Sequence, residues 1–371
     1  MKYYIIAGEA SGDLHGSNLI KKLHLLDESA DIRCWGGDLM QEAGATVVKH
    51  YRDLAFMGFA EVVKNLPTIL NNIKFCKKDI LSFKPDVLVL VDYPGFNLRI
   101  ADWAKKQGFK VAYYISPQVW AWKENRVKKM KQCIDKMLCI LPFEKEYFKD
   151  KWNWEVEYVG HPLVEVIDES IKKGAENKLS ERPVIALLPG SRKQEIAKKL
   201  PVMLSVNKHF PNYHFIVAQA PGQDDAFYKP FLEQYANVSL VKNQTYNLLK
   251  QSVAALVTSG TATLETALFN VPEVVCYKGS NISYQIAKRL ISIKYICLVN
   301  LIMDKPVVKE LIQNELNEKN LTEELNLLLN NSERQLQLSS DYSALHKLLS
   351  LGGNASAKAA TAIYKMVSPK G

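Results

Sequence analysis

Short apolar segments typical of buried strands alternate with amphipathic helical segments along this chain, and the alternation occurs in two successive series. In the first series the strand-like segments are residues 3–7, 86–92, 110–116 and 136–141. In the second series they are residues 183–188, 214–218, 238–241, 254–258 and 273–277. Strands that are joined by helical crossovers pair in parallel. The sequence therefore predicts an α/β protein that contains two Rossmann-like domains of the same architecture.

The length of the chain and its polar middle indicate where these domains divide. With 371 residues, of which 47% are hydrophobic, the chain is long enough for two cores. Residues 165–182 are polar and rich in Lys and Glu, without a strong strand pattern, as in a linker. We predict an N-terminal domain over 1–168, a C-terminal domain over 169–345, and a helix in 346–371 that packs back on the first domain. Helices alone are predicted after residue 305.

The apolar runs and the cysteines exclude several classes of protein. The first run, Tyr3 to Ala7, is too short for the core of a signal peptide. Charged residues interrupt every longer apolar stretch, so none reaches the roughly 20 residues that span a bilayer. The six cysteines form no CxxC pair, and we predict that they are reduced core residues. These features predict a soluble or membrane-peripheral protein.

The formal net charge of +9 favours an anionic partner without identifying it. The densest basic stretch follows Trp120 and Trp122 and consists of Lys123, Arg126, Lys128, Lys129 and Lys131. A solvated helix explains this pattern. So does an interfacial patch, in which indole rings lie at headgroup depth while the cations face anionic lipid. The residues alone leave both interpretations open.

Ligands of doubly wound sheets bind beyond the carboxyl ends of the strands, so the residues directly after each predicted strand are the candidates for a site. The first such segment is Gly8-Glu9-Ala10-Ser11-Gly12-Asp13. Its glycines allow close approach of a ligand, and the amides that open the next helix attract anions. A helix cap by Ser11 or Asp13 is the structural alternative. The spacing is not GxGxxG, which disfavours a nicotinamide dehydrogenase.

The second segment places an acid at the end of a fully apolar strand. Asp92 is followed by a turn, Tyr93-Pro94-Gly95, that leads into a helix. We predict that Asp92 points into the cleft between the domains, where a carboxylate can accept the proton of an attacking hydroxyl during glycosyl transfer. A helix-capping aspartate is the alternative.

The third segment, Leu188-Pro189-Gly190-Ser191-Arg192, follows the first strand of the second series and resembles a diphosphate cradle. Gly190 permits close approach of the backbone, the Ser191 hydroxyl can bond a phosphate oxygen, and the Arg192 guanidinium can neutralise charge on a leaving diphosphate. The alternative is a solvated Arg192 without a ligand.

The fourth segment contains Ser259, Gly260 and Thr261 at the start of a helix, which makes it a second phosphate-binding candidate. Glu265 follows one turn later, and its carboxylate could accept hydrogen bonds from both hydroxyls of a ribose. An exposed helix glutamate is the alternative. His15 and His161 belong to no metal-like cluster or Ser-His-Asp arrangement, so we interpret both as structural and predict neither a metal nor a cofactor.

Together, in this order, these segments resemble the lipid-A-disaccharide synthase family, which consists of inverting glycosyltransferases with a GT-B fold. The resemblance spans residues 5–315. The further residues that carry it are Met57-Gly58-Phe59-Ala60-Glu61-Val62, Ser116-Pro117-Gln118-Val119-Trp120-Ala121-Trp122, Leu141-Pro142-Phe143-Glu144, Val159-Gly160-His161-Pro162, Asn300-Leu301 and Val308-Lys309-Glu310-Leu311. Two departures concern substrate positioning: Val299 stands where the family usually has proline, and Tyr93-Pro94-Gly95 replaces a more common Ala-Pro-Asp/Glu run.

The resemblance implies two Rossmann-like domains that face each other across a cleft. It implies transfer of 2,3-diacylglucosamine from its UDP carrier to the 6-hydroxyl of 2,3-diacylglucosamine 1-phosphate, which gives a β-1,6-linked disaccharide and UDP without a metal ion or cofactor. The implied location is the cytoplasm, peripherally on the anionic inner face of the cytoplasmic membrane. Nucleic acid is not an implied partner, and a homodimer is one option for the oligomeric state.

The resemblance also implies roles for individual residues. Asp92 is similar to the catalytic carboxylate of the family, and Glu9 is a second catalytic candidate. Substrate binding is implied for Ser11, Gly190, Ser191, Arg192, Ser259, Gly260, Thr261, Glu265 and Asn300. Contact with membrane or acyl chains is implied for Met57, Phe59, Val62, Trp120, Trp122, Lys123, Arg126, Lys128 and Lys129.

Two alternatives share parts of this pattern. An isomerase similar to UDP-N-acetylglucosamine 2-epimerase would have the same architecture and would need no lipid acceptor. A catalytically silent protein that binds nucleotide sugar at the membrane would keep Arg192 and Glu265 but would not depend on Asp92.

Overall fold

A computed structural model describes residues 1–54, 66–279 and 294–368, which divide between two units. Unit 1 comprises Met1–Pro162 together with Ser350–Gly371, and unit 2 comprises Leu163–Leu349. The division falls between Pro162 and Leu163, close to the predicted boundary at residue 168. Each unit contains a parallel sheet with helical crossovers, so the predicted α/β class with two parallel-sheet domains is confirmed.

Unit 1 is built on a parallel sheet of seven strands within the described residues, in the order β3-β2-β1-β4-β5-β6-β7. The strands are β1 (Lys2–Ala7), β2 (Asp31–Gly36), β3 (Thr46–His50), β4 (Val87–Val91), β5 (Lys110–Tyr114), β6 (Lys136–Cys139) and β7 (Glu157–Tyr158). The helices are α1 (Ala10–Leu26), α2 (Asp38–Glu42), α3 (Leu66–Phe83), α4 (Pro94–Lys106), α5 (Arg126–Cys133) and α6 (Glu144–Trp152), and a 3-10 turn covers Tyr51–Leu54.

The central strands of unit 1 are apolar throughout because both faces of the sheet are covered. Side chains alternate between the two faces, so Tyr4 and Leu88 lie in one core cluster while Tyr3 and Val87 lie in the other. The second cluster also takes in Ala359, from the last helix of the chain, which packs against α1. Order in the sheet reverses between β1 and β4, which makes this pair the topological switch point.

Unit 2 repeats the architecture with six parallel strands among its described residues, in the order β10-β9-β8-β11-β12-β13. The strands are β8 (Val184–Leu188), β9 (His214–Gln219), β10 (Val238–Lys242), β11 (Ser252–Thr258), β12 (Glu273–Tyr277) and β13 (Lys309–Ile312). After α7 (Pro162–Lys173), the helices of unit 2 are α8 (Lys193–Ser205), α9 (Asp225–Leu232), α10 (Thr245–Lys250), α11 (Thr261–Leu268), α12 (Leu298–Met303), α13 (Glu318–Asn330) and α14 (Ser332–Ser350). The last helix, α15 (Ala355–Val367), belongs to unit 1. The switch point of unit 2 lies between β8 and β11.

Every predicted strand overlaps an observed strand, but β2, β3, β7 and β13 were not predicted. The prediction of helices alone after residue 305 is wrong, because Lys309 of β13 pairs with Val274 of β12. These strands lie at or next to sheet edges, where charged residues such as Arg33 and Glu310 interrupt the apolar pattern. Residues 165–182, which were predicted to be a linker, are partly helical, since α7 extends to Lys173.

All six cysteines are buried and free of disulfides, as predicted. Among the helices that the structure describes, none is both long enough and apolar enough to span a membrane.

Candidate active site

Glu9 and Asp92 leave the sheet of unit 1 at the same edge. Ala7, the last residue of β1, pairs with Val91, the last residue of β4, so the segments that follow them start side by side at the switch point. Glu9 precedes α1 as its N-cap residue, with an extended backbone, and both carboxylates are half-buried. The sequence placed both acids directly after strands, and the fold brings them together.

The backbone of Asp92 is fixed by side chains from two neighbouring elements. Asp92 and Tyr93 both adopt left-handed backbone conformations, with φ of 44° and 49°. The carbonyl oxygen of Asp92 accepts hydrogen bonds from Asn97 Nδ2 at 2.8 Å and from Tyr113 Oη at 2.6 Å. Asn97 also donates to the carbonyl oxygen of Ile6 at 3.3 Å, which ties β1 to this turn. The sharp turn is therefore held in one geometry.

The environment of Asp92 raises the pKa of its carboxyl toward neutral pH, where a carboxylate can accept and release a proton. Burial, and secondly the negative charge of Glu9, raise the pKa of Asp92 to about 6, while a hydrogen bond from the Tyr93 amide opposes the rise. A carboxylate with such a pKa is ionised at neutral pH and is a stronger base than an exposed aspartate. The arrangement suits proton abstraction from a hydroxyl.

Neither Ser11 nor Asp13, the polar residues that follow Glu9, caps the start of α1. Asp13, rather than capping α1, accepts hydrogen bonds from the amides of Gly37, Leu39 and Met40 and so caps α2. Ser11 is exposed and makes no capping bond at the start of α1. The capping alternative for this segment is thus wrong for α1.

His15 and His161 are both buried, and the pKa of each is lowered. Burial lowers the pKa of His15 to about 4, and burial together with His15 lowers that of His161 to about 3. Both imidazoles are therefore neutral at physiological pH, as expected of structural residues.

A cavity of about 420 Å³ lies at the switch point of unit 2. Seven of the residues predicted to bind substrate line it, namely Gly190, Ser191, Arg192, Ser259, Gly260, Thr261 and Glu265. They come from the segments after β8 and β11, which run side by side since Leu188 pairs with Val257. The fold therefore joins the third and fourth candidate segments into one site.

Three charged side chains, Arg192, Glu195 and Lys199, lie in a row beside the Gly190 turn at one side of this cavity. Arg192 Nη1 lies 3.2 Å from Glu195 Oε1, and Lys199 Nζ lies 3.9 Å from Glu195 Oε2. Lys199 is 3% exposed and also contacts the hydroxyl of Thr258, which links the two segments. Gly190 has a φ of 115°, and a Cβ there would lie 3.0 Å from Glu195 Oε2, so glycine fits this turn best.

The opposite wall carries a second carboxylate. Glu265 accepts a hydrogen bond from Tyr246 Oη at 3.2 Å, and burial raises the pKa of Glu265. The hydroxyl of Ser259 donates to the carbonyl oxygen of Ile296 at 2.8 Å, so its oxygen keeps only acceptor capacity for a ligand. Thr261, the first residue of α11, also lines the cavity.

Asn300 does not line this cavity. It is 1% exposed, and its amide is engaged with the backbone of Val308 and with Glu310 Oε1 at 3.1 Å. Glu310 in turn accepts hydrogen bonds from the amides of Ile296 and Cys297. Asn300 is therefore linked to Ser259 by hydrogen bonds through Glu310 and Ile296, and direct contact of Asn300 with the donor stays a prediction.

The aromatic and basic residues after β5 divide into two groups. Trp120 turns inward and donates from Nε1 to Glu144 Oε1 at 3.3 Å. Trp122 is 49% exposed, with Lys123 Nζ 4.2 Å from its ring centroid. Lys128 and Lys129 are exposed on α5.

Three residues predicted to receive acyl chains, Met57, Phe59 and Val62, lie outside the described residues. Within the described ranges, no group of three or more His, Cys, Asp or Glu side chains is arranged to hold a metal ion.

Sequence reasoning missed several residues that shape these sites. Lys199 had a detectable signal, because it falls on the apolar face of α8 beside the buried Ile196 and Leu200. Asn97 and Glu310 gave none, since their roles depend on carbonyl and amide groups brought close only by the tertiary fold.

Known sequences match this chain along nearly its whole length. The sequence model of the family described as lipid-A-disaccharide synthetase matches residues 3–364. A relative from Trichlorobacter lovleyi, named lipid-A-disaccharide synthase, is 35% identical over 98% of this chain and 97% of its own length.

Two solved structures share the fold at low identity. A UDP-GlcNAc 2-epimerase from Neisseria meningitidis bound to UDP-GlcNAc has a TM-score of 0.69 and 13% identity, and covers 99% of each chain. The glycotransferase of kitacinnamycin has a TM-score of 0.69 and 14% identity, with the same coverage. At these identities the likeness supports the GT-B type of fold alone.

Proposed function

The chain belongs to the lipid-A-disaccharide synthetase family and is a glycosyltransferase, and on that premise we propose the substrates and the residues of its reaction. The donor is UDP-2,3-diacylglucosamine and the acceptor is 2,3-diacylglucosamine 1-phosphate. The products are the β-1,6-linked disaccharide 1-phosphate and UDP.

The observation that carries the donor assignment is the cavity of unit 2. A UDP-sugar needs groups that neutralise a diphosphate and groups that accept from a ribose, and both kinds line this cavity. Arg192, the Gly190 turn and the start of α11 receive the diphosphate. Glu265 accepts the ribose hydroxyls. Positive charge from Arg192 stabilises the UDP as it leaves, so the proposed reaction uses no metal ion.

The proposed chemical step is an inverting displacement. The 6-hydroxyl of the acceptor attacks the anomeric carbon of the donor from the face opposite UDP, a new C–O bond forms and the bond from carbon to the diphosphate oxygen breaks. Asp92 takes the proton of the attacking hydroxyl. The raised pKa of Asp92 supports this role, and the nearby Glu9 tunes it.

We further propose that the protein works at an anionic membrane surface. Trp122, Lys123 and Lys128 are exposed within a segment of seven residues, 122–128, and an exposed indole beside lysines suits headgroup depth. Sedimentation with vesicles of phosphatidylcholine, with and without phosphatidylglycerol, tests this. The proposal requires binding that depends on the anionic lipid and weakens in Trp122→Ala.

One assay tests the reaction itself. The purified protein is mixed with UDP-2,3-diacylglucosamine, with or without the monosaccharide 1-phosphate, and UDP and disaccharide are followed. The proposal predicts that UDP appears only with acceptor and in equal amount to disaccharide. Conversion of the donor without acceptor would identify an isomerase, and unchanged donor in both mixtures would identify a silent binding protein.

A further inference from the structure

Unit 1 contains a second cavity, of about 340 Å³, between α4 and α5. Three cationic side chains line it: Arg99 from α4, and Arg126 and Lys129 from α5. Arg126 and Lys129 are three residues apart on one helix and therefore share a face. No acidic residue is among the described residues that line the cavity. This concentration of positive charge contrasts with the unit 2 cavity, where Glu195 and Glu265 lie beside Arg192.

Two of these cations keep their hydrogen-bonding capacity for a ligand. Arg99 makes no hydrogen bond or ion pair with any residue that the structure describes. Arg126 lies against the Trp122 ring, 5.7 Å from guanidinium carbon to ring centroid, and that contact leaves its N–H donors free. Lys129 Nζ is paired with Asp102 at 3.0 Å. Lys129 therefore adds positive charge to the cavity, whereas the two arginines supply the open hydrogen-bond donors.

The cavity adjoins the turn that carries Asp92. Pro94 and Gly95 line it, and they follow Asp92 and Tyr93 directly in the chain. Leu98 and Met130 add apolar surface beside the cations. A molecule with one anionic group and an uncharged body therefore fits this cavity, and its anion is anchored next to the proposed base.

We propose that this cavity binds the phosphate monoester of the sugar acceptor, with Arg99 and Arg126 as its direct ligands. The inference rests on the proposed function, which supplies an acceptor with a 1-phosphate. Arginine fits a phosphate because its planar fork donates two parallel hydrogen bonds. Arg126 and Lys129 line the cavity, whereas Lys123 and Lys128, which we propose face the membrane, do not. The two pairs therefore have different proposed roles.

A phospholipid headgroup carries similar phosphate chemistry, and the geometry favours the acceptor over it. Headgroups are attracted by exposed cations on an open surface. Arg99 and Lys129 are exposed as well, but together with Arg126 they surround one cavity that also has apolar lining and lies beside the turn of Asp92. An anchored phosphate at this place orients the rest of the acceptor toward the reacting carboxylate.

The kinetic test compares two acceptors in wild type and in the double variant Arg99→Gln/Arg126→Gln. One acceptor is diacylglucosamine 1-phosphate, and the other carries a methyl group in place of the phosphate. The control, Lys145→Gln/Lys149→Gln, removes two exposed charges from α6, outside the cavity. We expect the arginine variant alone to raise KM for the phosphorylated acceptor by about 30-fold or more, with KM for the donor and for the methyl acceptor changed less than about 3-fold. Equal KM changes for both acceptors, or none, would overturn the inference.

A binding test separates this inference from the proposed function. Glucosamine 1-phosphate and glucosamine are titrated into each protein by calorimetry at constant ionic strength. We expect glucosamine 1-phosphate to bind the wild type and the lysine control more tightly than glucosamine does, and this preference to disappear in the arginine variant. If wild type releases no UDP with either acceptor, the proposed function fails, while this titration still decides whether the cavity binds a phosphate monoester.

Vesicle sedimentation identifies the source of the phosphate. Vesicles that contain phosphatidylglycerol are expected to bind the arginine variant as well as the wild type. Loss of vesicle binding in that variant, together with an unchanged preference for the phosphorylated acceptor, would assign Arg99 and Arg126 to lipid headgroups and refute the proposal.

Discussion

The ring of Tyr93 lies directly on the backbone of Gly8, so closely that a Cβ at Gly8 would be 2.3 Å from Cδ1 of Tyr93. Gly8 follows β1, and Tyr93 follows Asp92 after β4. The ring also stacks on Phe96, with 5.7 Å between centroids. The glycine of the first motif is therefore required by packing against the Asp92 turn, whether or not a ligand approaches it.

Replacing Gly8 with alanine tests this relationship. The new methyl group must displace the Tyr93 ring, which we expect to lower the stability of unit 1 by about 1–3 kcal/mol and turnover by about 10- to 100-fold, since Asp92 is the next residue. All six tryptophans lie between Trp35 and Trp154, so their fluorescence during urea unfolding reports unit 1 alone. Gly95→Ala, in the same unit and with nothing within 4 Å of an added Cβ, is the control for stability. Normal turnover in Gly8→Ala would show that the ring moves without disturbing Asp92.

Asp92→Ala tests the proposed base directly. We expect kcat to fall by about 100-fold or more, because the attacking hydroxyl loses its proton acceptor. The affinity for UDP, measured by calorimetry, should stay nearly unchanged because the proposed UDP contacts are all residues of unit 2. A variant with near-normal turnover would reject the assignment.

The raised pKa of Asp92 predicts a specific pH profile. A base must be deprotonated to act, so kcat/KM should rise with pH up to the Asp92 pKa of about 6 and level off above it. In Glu9→Gln a negative neighbour is removed, the pKa of Asp92 falls, and the acid limb should move to lower pH. Glu28→Gln, which removes an exposed carboxylate of the same unit, should leave the limb in place. Complete loss of activity in Glu9→Gln would instead make Glu9 the better candidate for the base.

The parallel-sheet architecture could be predicted from the sequence because central strands such as β4 and β8 are apolar on both faces. The sequence was also sufficient to select the segments after β1, β4, β8 and β11, since topology alone brings the ends of parallel neighbours together. It could not show that Asn97 fixes the Asp92 carbonyl, because that bond joins groups positioned by β1, β4 and α4 together.

Edge strands and buried polar contacts are the features that could not be predicted from the sequence, and the physical reason is the same for both. In β13 the charged Glu310 is satisfied by the amides of Ile296 and Cys297, so the strand lacks an apolar signature. Trp120 donates its indole N–H to the buried Glu144, a partner that the sequence analysis did not identify, and contact of Trp120 with a membrane stays a prediction. Local sequence contains no information about such distant partners.

Lys199 is predicted to support the donor cavity from below. In Lys199→Met the cation beneath the Gly190 turn is lost, and we expect KM for the donor and Kd for UDP to rise about 10-fold. Burial lowers the pKa of Lys199, so its removal should not destabilise unit 2. Lys198→Met, the exposed neighbour, is the matched control. Unchanged UDP affinity in Lys199→Met would limit this residue to a packing role.

Glu273 offers a test of stability that is independent of catalysis. It opens β12 with 1% exposure, and neither carboxyl oxygen has a hydrogen-bond partner among the described residues. Burial raises its pKa well above the usual range. The folded state therefore holds this proton more tightly than the unfolded state. The resulting stability is fully present below the ordinary glutamate pKa of about 4.3 and is lost as pH rises above it.

Glu273→Met removes the titrating group and keeps an apolar side chain of similar length. We expect the variant to be more stable than wild type at about pH 8, by about 1–3 kcal/mol, and to show a weaker decline in stability between about pH 5 and pH 8. Urea unfolding followed by circular dichroism measures both units, and tryptophan fluorescence identifies the transition of unit 1, so the remainder belongs to unit 2. The exposed Glu323→Gln should change neither quantity by more than about 0.5 kcal/mol. A wild-type pH dependence in Glu273→Met would mean that another group binds the proton.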